Sequence, residues 1–325
     1  MNALYPLKFK PIFKDKIWGG QKIKTELNLD FGNLPNCGEA WLMSGYEDEQ
    51  TVVANGFLAG NELNEVVEIY MGELVGDKNF DRFGNEFPLL IKFIDSNDWL
   101  SIQVHPDDEL AKKRNIGSGK SEMWYILGAD KNAELISGFN KKTHKEEYLQ
   151  NLENKTLKGM LNFEKVQKGD VYDIPAGRVH ALGPGCLLTE IQQTSDATYR
   201  IYDWDRIDTA GMTRELHIDK ALDAIDFEFY ENYKTNYKTK VNETSSVIES
   251  PHFTTRILSL NETVIKNFSA LDSFVIYIAT EGNVEMKWED GNINLKKGES
   301  LLIPASFDNL VIEPKTISTL LEVFI

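Results

Sequence analysis

Short runs rich in Val, Ile, Leu, Tyr and Phe recur along almost the whole chain, and Gly, Asp, Asn or Pro closes each of them. VVANGF, PLLIKFID, LSIQVH, EMWYIL, DVYDIP, CLLTEIQQ and TYRIYDWD form a first group; FTTRILSL, FVIYIAT, NVEMKW, SLLIP and TLLEVFI form a second. Such runs, punctuated by turn residues, predict a mainly β protein built as sandwiches or barrels. Helical periodicity is confined to three places. Leu63, Val66, Val67 and Tyr70 keep helical spacing after Asn61, Thr143 with Glu146 makes a capping box ahead of Tyr148 and Leu149, and a short helix falls around Ile218, Ala221 and Leu222. Amphipathic helices of this kind cover one end or face of a sheet.

The stretch ENYKTNYKTKVNETSS is polar and carries no apolar periodicity. It sets a boundary at about residue 236 and divides the chain into residues 1–235 and 236–325. The two parts share a pattern. KGDVYDIPAGRVHAL in the first resembles KKGESLLIPASFDNL in the second, with Gly169 and Pro175 matching Gly298 and Pro304. An internal repeat of one barrel accounts for it. In that alignment Asn309 takes the slot of His180, so the second copy is expected to bind no metal and to serve packing or a dimer contact.

Composition narrows the classes of function. At 325 residues the chain has room for two cores, and its 42% hydrophobic content includes no apolar run of the roughly 20 residues that a membrane helix needs. The N-terminal MNALYPLKFKPIFKDKIWGG lacks the apolar core of a secretory signal, which points to a cytoplasmic protein. Cys37 and Cys186 have no CxxC spacing and read as buried reduced thiols. A net charge of −16 argues against nucleic acid as a partner, because phosphate backbones are bound by clustered cations. It leaves room for an anionic small molecule, since a few Arg or Lys in a cleft outweigh a distant acidic surface that salt screens within about 8–10 Å.

The candidate chemistry lies between Leu100 and His180. Gln103 and His105, two apart on a strand, project from one face, and Pro106 ends the strand at a rim. Glu122 heads the apolar run MWYIL, where burial without a counter-charge is costly and a divalent ion removes the cost. His180 follows a Pro and a Gly that shape a turn into the next strand. Two imidazoles, a carboxylate and an amide oxygen suit a divalent transition ion such as zinc with an open coordination position. Arg200, between Tyr199 and Ile201, is either an ion-pair partner of Asp203 or Asp205 or an anion-binding group. Lys120, in IGSGK, is a phosphate contact or a solvated loop residue. His144, His217 and His252 have no such context and read as surface or supporting groups.

The spacing of Gly169, Pro175, Gly177 and His180 resembles the second cupin motif, which implies two cupin jelly-roll barrels with a few short covering helices. QVHPDDE, KSEMWYI, IPAGRVHAL and EIQQTSDATYRIYDWDR, with IWGG, GEAWLMSG and LHIDKALDAID, resemble the class I phosphomannose isomerases of the short bacterial two-cupin type. That resemblance implies one Zn2+ held by Gln103, His105, Glu122 and His180. It also implies a catalytic Arg200, an acidic Glu190 ten residues before it, and Lys120 two before the ligand Glu. The implied reaction interconverts mannose 6-phosphate and fructose 6-phosphate through a cis-enediol, in a monomer or homodimer. Glu190 is a candidate base, with a metal-bound water or a His as rival, and Lys120, Arg178 and Arg206 are candidate contacts for the sugar phosphate. A cupin iron oxygenase and a non-catalytic sugar-binding cupin are the alternatives.

Overall fold

The computed structural model of the chain describes residues 3–207 and 211–325. Strands dominate, and every pairing between named strands is antiparallel. In the first unit a five-stranded sheet runs in the order Leu161–Lys165, Glu134–Phe139, His180–Leu182, Ile102–Val104, Tyr199–Tyr202. It faces a six-stranded sheet ordered Val171–Ile174, Glu122–Ala129, Cys186–Gln193, Leu89–Ser96, Glu39–Met43, Ile12–Lys14. In the second unit the two sheets have five and four strands, all drawn from Thr244 to Phe324.

Alternation along the strands sorts the side chains into layers. Ile94, Trp124, Ile126, Leu135, Tyr172, Leu182 and Leu188 meet between the two sheets of the first unit. The outward residues of its six-stranded sheet, including Ile91, Phe93, Met123, Tyr125 and Ile191, join one core with Ile257, Ile276, Leu321 and Val323 from the second unit. The Cys186–Gln193 strand is consequently buried at every position. Its run CLLTEIQQ shows no alternation because both of its faces are covered. Leu258, Val275, Tyr277, Leu310 and Leu320 fill the second barrel.

All three expected helices are present. Leu63–Tyr70 buries the four residues that set its period and is capped by Glu62 and Glu65. Ile218–Leu222 and Lys145–Glu153 cover the outer face of the five-stranded sheet, where Tyr148 and Ala221 pack against Ile136 and Tyr199. The expected Thr143 cap is displaced by one residue. His144 is the N-cap, its ring accepting from Glu147 N, while Thr143 donates to the Glu147 side chain. Within VVANGF only Val52–Val53 is strand. Further helices at Asp77–Phe83 and Asp108–Arg114 are stopped by Gly84 and Asn115, both at positive φ. No helix of the described residues is long and apolar enough to cross a membrane. Cys37 and Cys186 are buried free thiols, and burial raises the pKa of each, to about 12 and about 11.

The polar stretch at 231–246 runs along the first barrel as far as Tyr237 and enters the second unit at its end, where Thr244 opens a strand. Lys234 pairs with Asp170 at 2.7 Å, and Tyr237 Oη donates to Gly169 O at 2.6 Å. The repeat also holds in the register of the central strands. Glu190 faces Lys92 on one side and Trp124 on the other; Glu322 faces Arg256 and Tyr277 in the same way. Asn309, aligned with His180 by sequence, is exposed and accepts from Asn267 at 2.9 Å. The neighbour that turns into the second barrel is Leu310, paired with Lys266.

Candidate active site

Three strands bring the four candidate ligands together. Gln103 sits mid-strand opposite His180, and His105 follows the same strand after one residue. Glu122 opens the Glu122–Ala129 strand. The turn before His180 is tied to His105, since Gly177 N donates to His105 O at 3.0 Å. Gly177 has φ +89, and a Cβ there would stand 3.0 Å from Ala224 O. Only glycine takes this turn without strain.

One ligand atom from each of His105, Glu122 and His180 lies within 4.8 Å of the others. His105 Nε2 is 3.5 Å from Glu122 Oε2, and His180 Nε2 is 3.4 Å from Glu122 Oε1. Both rings have a fixed tautomer. His105 Nδ1 meets Ala197 O at 2.9 Å and His180 Nδ1 meets Arg178 O at 2.8 Å; a carbonyl only accepts, so Nδ1 carries the proton and the Nε2 lone pairs face inward. Burial, then the neighbouring Lys120, lowers the His105 pKa to about 4, and burial lowers that of His180, so both rings are neutral near pH 7. Burial opposes charge on Glu122, but the neighbouring Lys120 ammonium holds its pKa well below the ordinary carboxylate value.

This is a cluster of acceptors. Both oxygens of the sealed Glu122 carboxylate lack a hydrogen-bond partner among the described residues. The Lys120 ammonium reaches His105 Nε2 and Glu122 Oε2 at 3.2 Å each, but the inward lone pair of His180 and Glu122 Oε1, 3.4 Å apart, repel one another unless a further cation stands between them. The residues therefore fit a divalent ion. The Gln103 amide nitrogen is 3.2 Å from His180 Nε2, and a half-turn of the amide presents its oxygen instead.

Lys120 is not a solvated loop residue. It is buried, with Nζ 3.2 Å from both His105 Nε2 and Glu122 Oε2, on a loop pinned by Gly119 N to Asp108 Oδ1 at 2.8 Å and Ser121 N to Gln193 Oε1 at 2.9 Å. Beside it opens a cavity of about 290 Å³, lined by Lys16, Trp18, Glu39, Lys92, Ser101, Gln103, Lys120, Glu190, Asp196, Arg200 and Arg214 among others. Its size is near the lower end of small-ligand pockets, ~300–1,000 Å³.

Glu190 projects into this cavity with Oε1 3.0 Å from Lys92 Nζ and Oε2 2.9 Å from Trp124 Nε1. Lys92 also donates to Gln192 Oε1 at 2.6 Å. Burial works against its charge, yet Glu190 and Glu39 outweigh burial and raise its pKa, so it is an ammonium. Arg200 faces Gln103 across the strand pairing and donates from Nη1 to Glu215 O at 2.9 Å. Neither of its expected carboxylate partners takes it. Asp203 is bound by Arg214, and Asp205 accepts from Tyr202 Oη at 2.9 Å.

Arg178 and Arg206 do not line the cavity. Arg178 lies over the rings of Tyr230 and Tyr233, and Arg206 donates to Trp99 O. His217, 20% exposed in its side chain, accepts from Arg200 N through Nδ1 at 3.1 Å and so braces that strand.

The sequence reading passed over Lys92, Trp124 and Arg214. A lone Lys inside PLLIKFID is the same anomaly that singled out Arg200, so Lys92 carried a signal. Trp124 reads as ordinary core, and Arg214 lies in a polar loop with nothing local to mark it. Trp18 and Glu39 belong to IWGG and GEAWLMSG, segments whose part in the cavity only the fold reveals.

Residues 6–159 match the family model of the phosphomannose isomerase type I catalytic domain, and residues 242–318 that of the mannose-6-phosphate isomerase cupin domain. The mannose-6-phosphate isomerase ManA of Bacillus subtilis is 36% identical over 317 residues, 95% of this chain and 96% of that protein. A mannose-6-phosphate isomerase of Streptococcus mutans is 34% identical over 300 residues, 92% of each. The crystal structure of the mannose 6-phosphate isomerase from Bacillus subtilis superposes with a TM-score of 0.87 at 33% identity, covering 98% of this chain and 99% of that one.

Proposed function

Because the chain belongs to the type I phosphomannose isomerase family, we propose that the Gln103–Arg200 cavity interconverts mannose 6-phosphate and fructose 6-phosphate. The observation that carries this is the sealed cluster of His105 Nε2, His180 Nε2 and the Glu122 carboxylate, with Lys120 at its edge, beside an arginine-lined cavity. Neither a cupin oxygenase nor a sugar-binding cupin is favoured by these relatives.

In this reading Gln103, His105, Glu122 and His180 hold one divalent ion, and zinc suits two imidazoles with a carboxylate and an amide. When bound, the ion supplies Lewis-acid stabilisation of the sugar's enediolate oxygen. The remaining work falls to the protein. Isomerisation moves a carbon-bound proton between C1 and C2 of the open-chain sugar. Lys92 stays an ammonium and cannot accept it; Glu190, aimed into the cavity by Lys92 and Trp124, is the base of this reading, and a histidine is its rival. Arg200 supplies a fixed positive charge to the anionic substrate and the developing enediolate. Lys120, touching both His105 and Glu122, donates to a sugar oxygen at the inner end of the cavity.

We assign catalysis to residues 1–235 and a packing role to 236–325. The two buried free thiols suit the cytoplasm. A coupled assay with fructose 6-phosphate tests the proposal. Turnover that is lost in Glu190→Gln with the bound metal retained supports it, and full activity in that variant removes Glu190 as the base.

A further inference from the structure

Lys120 brings its ammonium to His105 Nε2 and Glu122 Oε2, 3.2 Å from each, out of a segment that is neither helix nor strand. The segment joins the Asp108–Arg114 helix to the Glu122–Ala129 strand. A lysine side chain is flexible, so the aim of its tip depends on how firmly the backbone beneath it is held. Here three consecutive backbone N–H groups are engaged. Gly119 N donates to Asp108 Oδ1 at 2.8 Å, Lys120 N to Pro106 O at 3.0 Å, and Ser121 N to Gln193 Oε1 at 2.9 Å.

Two of these acceptors are side chains, and they are bonded to each other. Gln193 Nε2 donates to Asp108 Oδ1 at 3.0 Å, which turns Oε1 toward Ser121 N and fixes the orientation of the amide. Gln193 N also donates to Ser121 O at 3.2 Å. The loop lies close against the start of the helix, since a Cβ on Gly119 would stand 2.5 Å from Asp108 N and 2.6 Å from the Asp107 carbonyl carbon. Capping the helix falls to Asp107, which accepts from Leu110 N, and not to Asp108. The second oxygen of Asp108 stands 3.9 Å from His252 Nδ1 of the second unit, beyond hydrogen-bond reach. One oxygen of this surface carboxylate therefore joins the loop to Gln193. Because Gln193 ends the Cys186–Gln193 strand, the same contact ties Lys120 to the strand that carries Glu190.

We propose that Asp108, acting with Gln193, is a positioning residue for Lys120 that holds the loop so the ammonium meets the ligand cluster and the sugar in one fixed arrangement. Its effect on turnover rests on the isomerase reading of the cavity. Its effect on the loop rests on the hydrogen bonds alone.

The test compares the metal-loaded wild type with Asp108→Ala, Asp108→Asn and Glu109→Ala at equal metal content. Asp108→Ala removes the shared acceptor, and its kcat with mannose 6-phosphate is expected to fall about ten- to hundredfold, the scale of a misplacement approaching ~1 Å, with KM within about threefold of wild type. Asp108→Asn keeps a carbonyl oxygen that accepts from both donors and is expected to retain about half or more of the wild-type kcat. Glu109→Ala takes an acidic side chain from the same first turn, outside the clamp, and is expected to match wild type. Hydrogen exchange over residues 115–121, followed by mass spectrometry, reads the loop without turnover. It is expected to be about fivefold faster in Asp108→Ala, the weight of one net hydrogen bond, and unchanged in Asp108→Asn. Wild-type kcat or wild-type exchange in Asp108→Ala overturns the assignment, as does an Asp108→Asn variant impaired as much as Asp108→Ala. A wild-type protein that does not turn over mannose 6-phosphate overturns the isomerase reading instead, and the exchange comparison still decides the clamp.

Discussion

Replacing Lys92 with Met tests how the Glu190 carboxylate is held in a buried cavity wall. Lys92 and Glu190 are each 4% exposed, 3.0 Å apart, and both belong to strands covered on two faces. At an effective dielectric of about 20 the attraction at that distance is about 5–6 kcal/mol. Removing one member of a buried pair costs about 3–5 kcal/mol, because the other charge is left in place or must take up a proton. Gln192 Oε1 also loses the donor that stands at 2.6 Å. Unfolding entropy of about 2.1 cal/mol/K per residue over 325 residues gives roughly 0.7 kcal/mol per degree, so Lys92→Met should lower Tm by about 4–7 °C. A second substitution gives the reasoning its control. In Lys92→Met/Glu190→Gln the new amide can donate toward Gln192 Oε1 and still accept from Trp124 Nε1, so the double variant should regain more than half of the lost Tm. Thermal unfolding of the four proteins in the cycle, at one pH and one metal concentration, reads this directly. A double variant less stable than Lys92→Met alone, or a single variant within about 1 °C of wild type, would show that the pair is not what holds Glu190.

Chelation should abolish turnover and Zn2+ should restore it, and Glu122→Gln should lower metal affinity at least tenfold, read by competition with a chromogenic chelator; undiminished affinity would remove Glu122 as a ligand. Asp95, buried with Oδ2 2.6 Å from Lys22 N, has its pKa raised from 3.8 to about 6 by burial. A carboxyl whose folded pKa exceeds its unfolded one stabilises fully below about pH 4 and loses that contribution as pH rises through about 6, amounting to about 3 kcal/mol. Asp95→Asn should therefore gain stability relative to wild type between pH 4 and 7, seen as a widening Tm difference; a constant difference across that window contradicts the assigned shift. Gly177→Ala should cost about 1–3 kcal/mol through its positive φ and lower metal affinity through the His105 tie, while a surface control, Gly60→Ala, carries the φ cost without touching the metal.

Much of this was legible in the sequence because the strongest signals were local. PLLIKFID, EMWYIL and CLLTEIQQ are the long central strands, and their apolar content reflects cover on both faces. Some of the strands that pass unnoticed in the sequence are edge or irregular ones. Gly291–Lys296 exposes alternate polar residues at a sheet edge, and Glu134–Phe139 contains Gly138 at φ +69 with a break in pairing between Ile136 and Phe139. Of the site, the four ligand candidates and Lys120 are marked by residue type and position, and the fold brings all five together. Arg178 looked equivalent to any other cleft arginine, yet it stacks on Tyr230 and Tyr233, which are distant in sequence. Arg214 reached the cavity only through its clamp on Asp203, a contact that no spacing rule encodes.

The second barrel shows what makes the first one a site. Both copies put a carboxylate on the central strand between a basic residue and an aromatic with a polar edge: Glu190 with Lys92 and Trp124, Glu322 with Arg256 and Tyr277. The difference lies in what the opposite sheet presents. In the first copy the inward pair is Gln103 and His180, whose side chains turn to the metal cluster and leave the space before Glu190 open as the cavity. In the second the inward pair is Lys266 and Leu310. The Lys266 ammonium reaches Glu322 Oε2 at 2.6 Å, Tyr277 Oη donates to the same oxygen at 2.6 Å, and the carboxylate is sealed at 2% exposure. Val275 holds the position of Glu122, two residues before the aromatic, and offers no ligand atom. With its interior filled, that barrel contributes through its outer sheet, whose Ile276, Leu321 and Val323 pack under the strands carrying Lys92 and Glu190. A buried carboxylate facing space is available for chemistry, while the same carboxylate facing a lysine from the opposite wall is a closed ion pair. One strand position, Gln103 against Lys266, thus divides a reactive barrel from a supporting one on a shared scaffold.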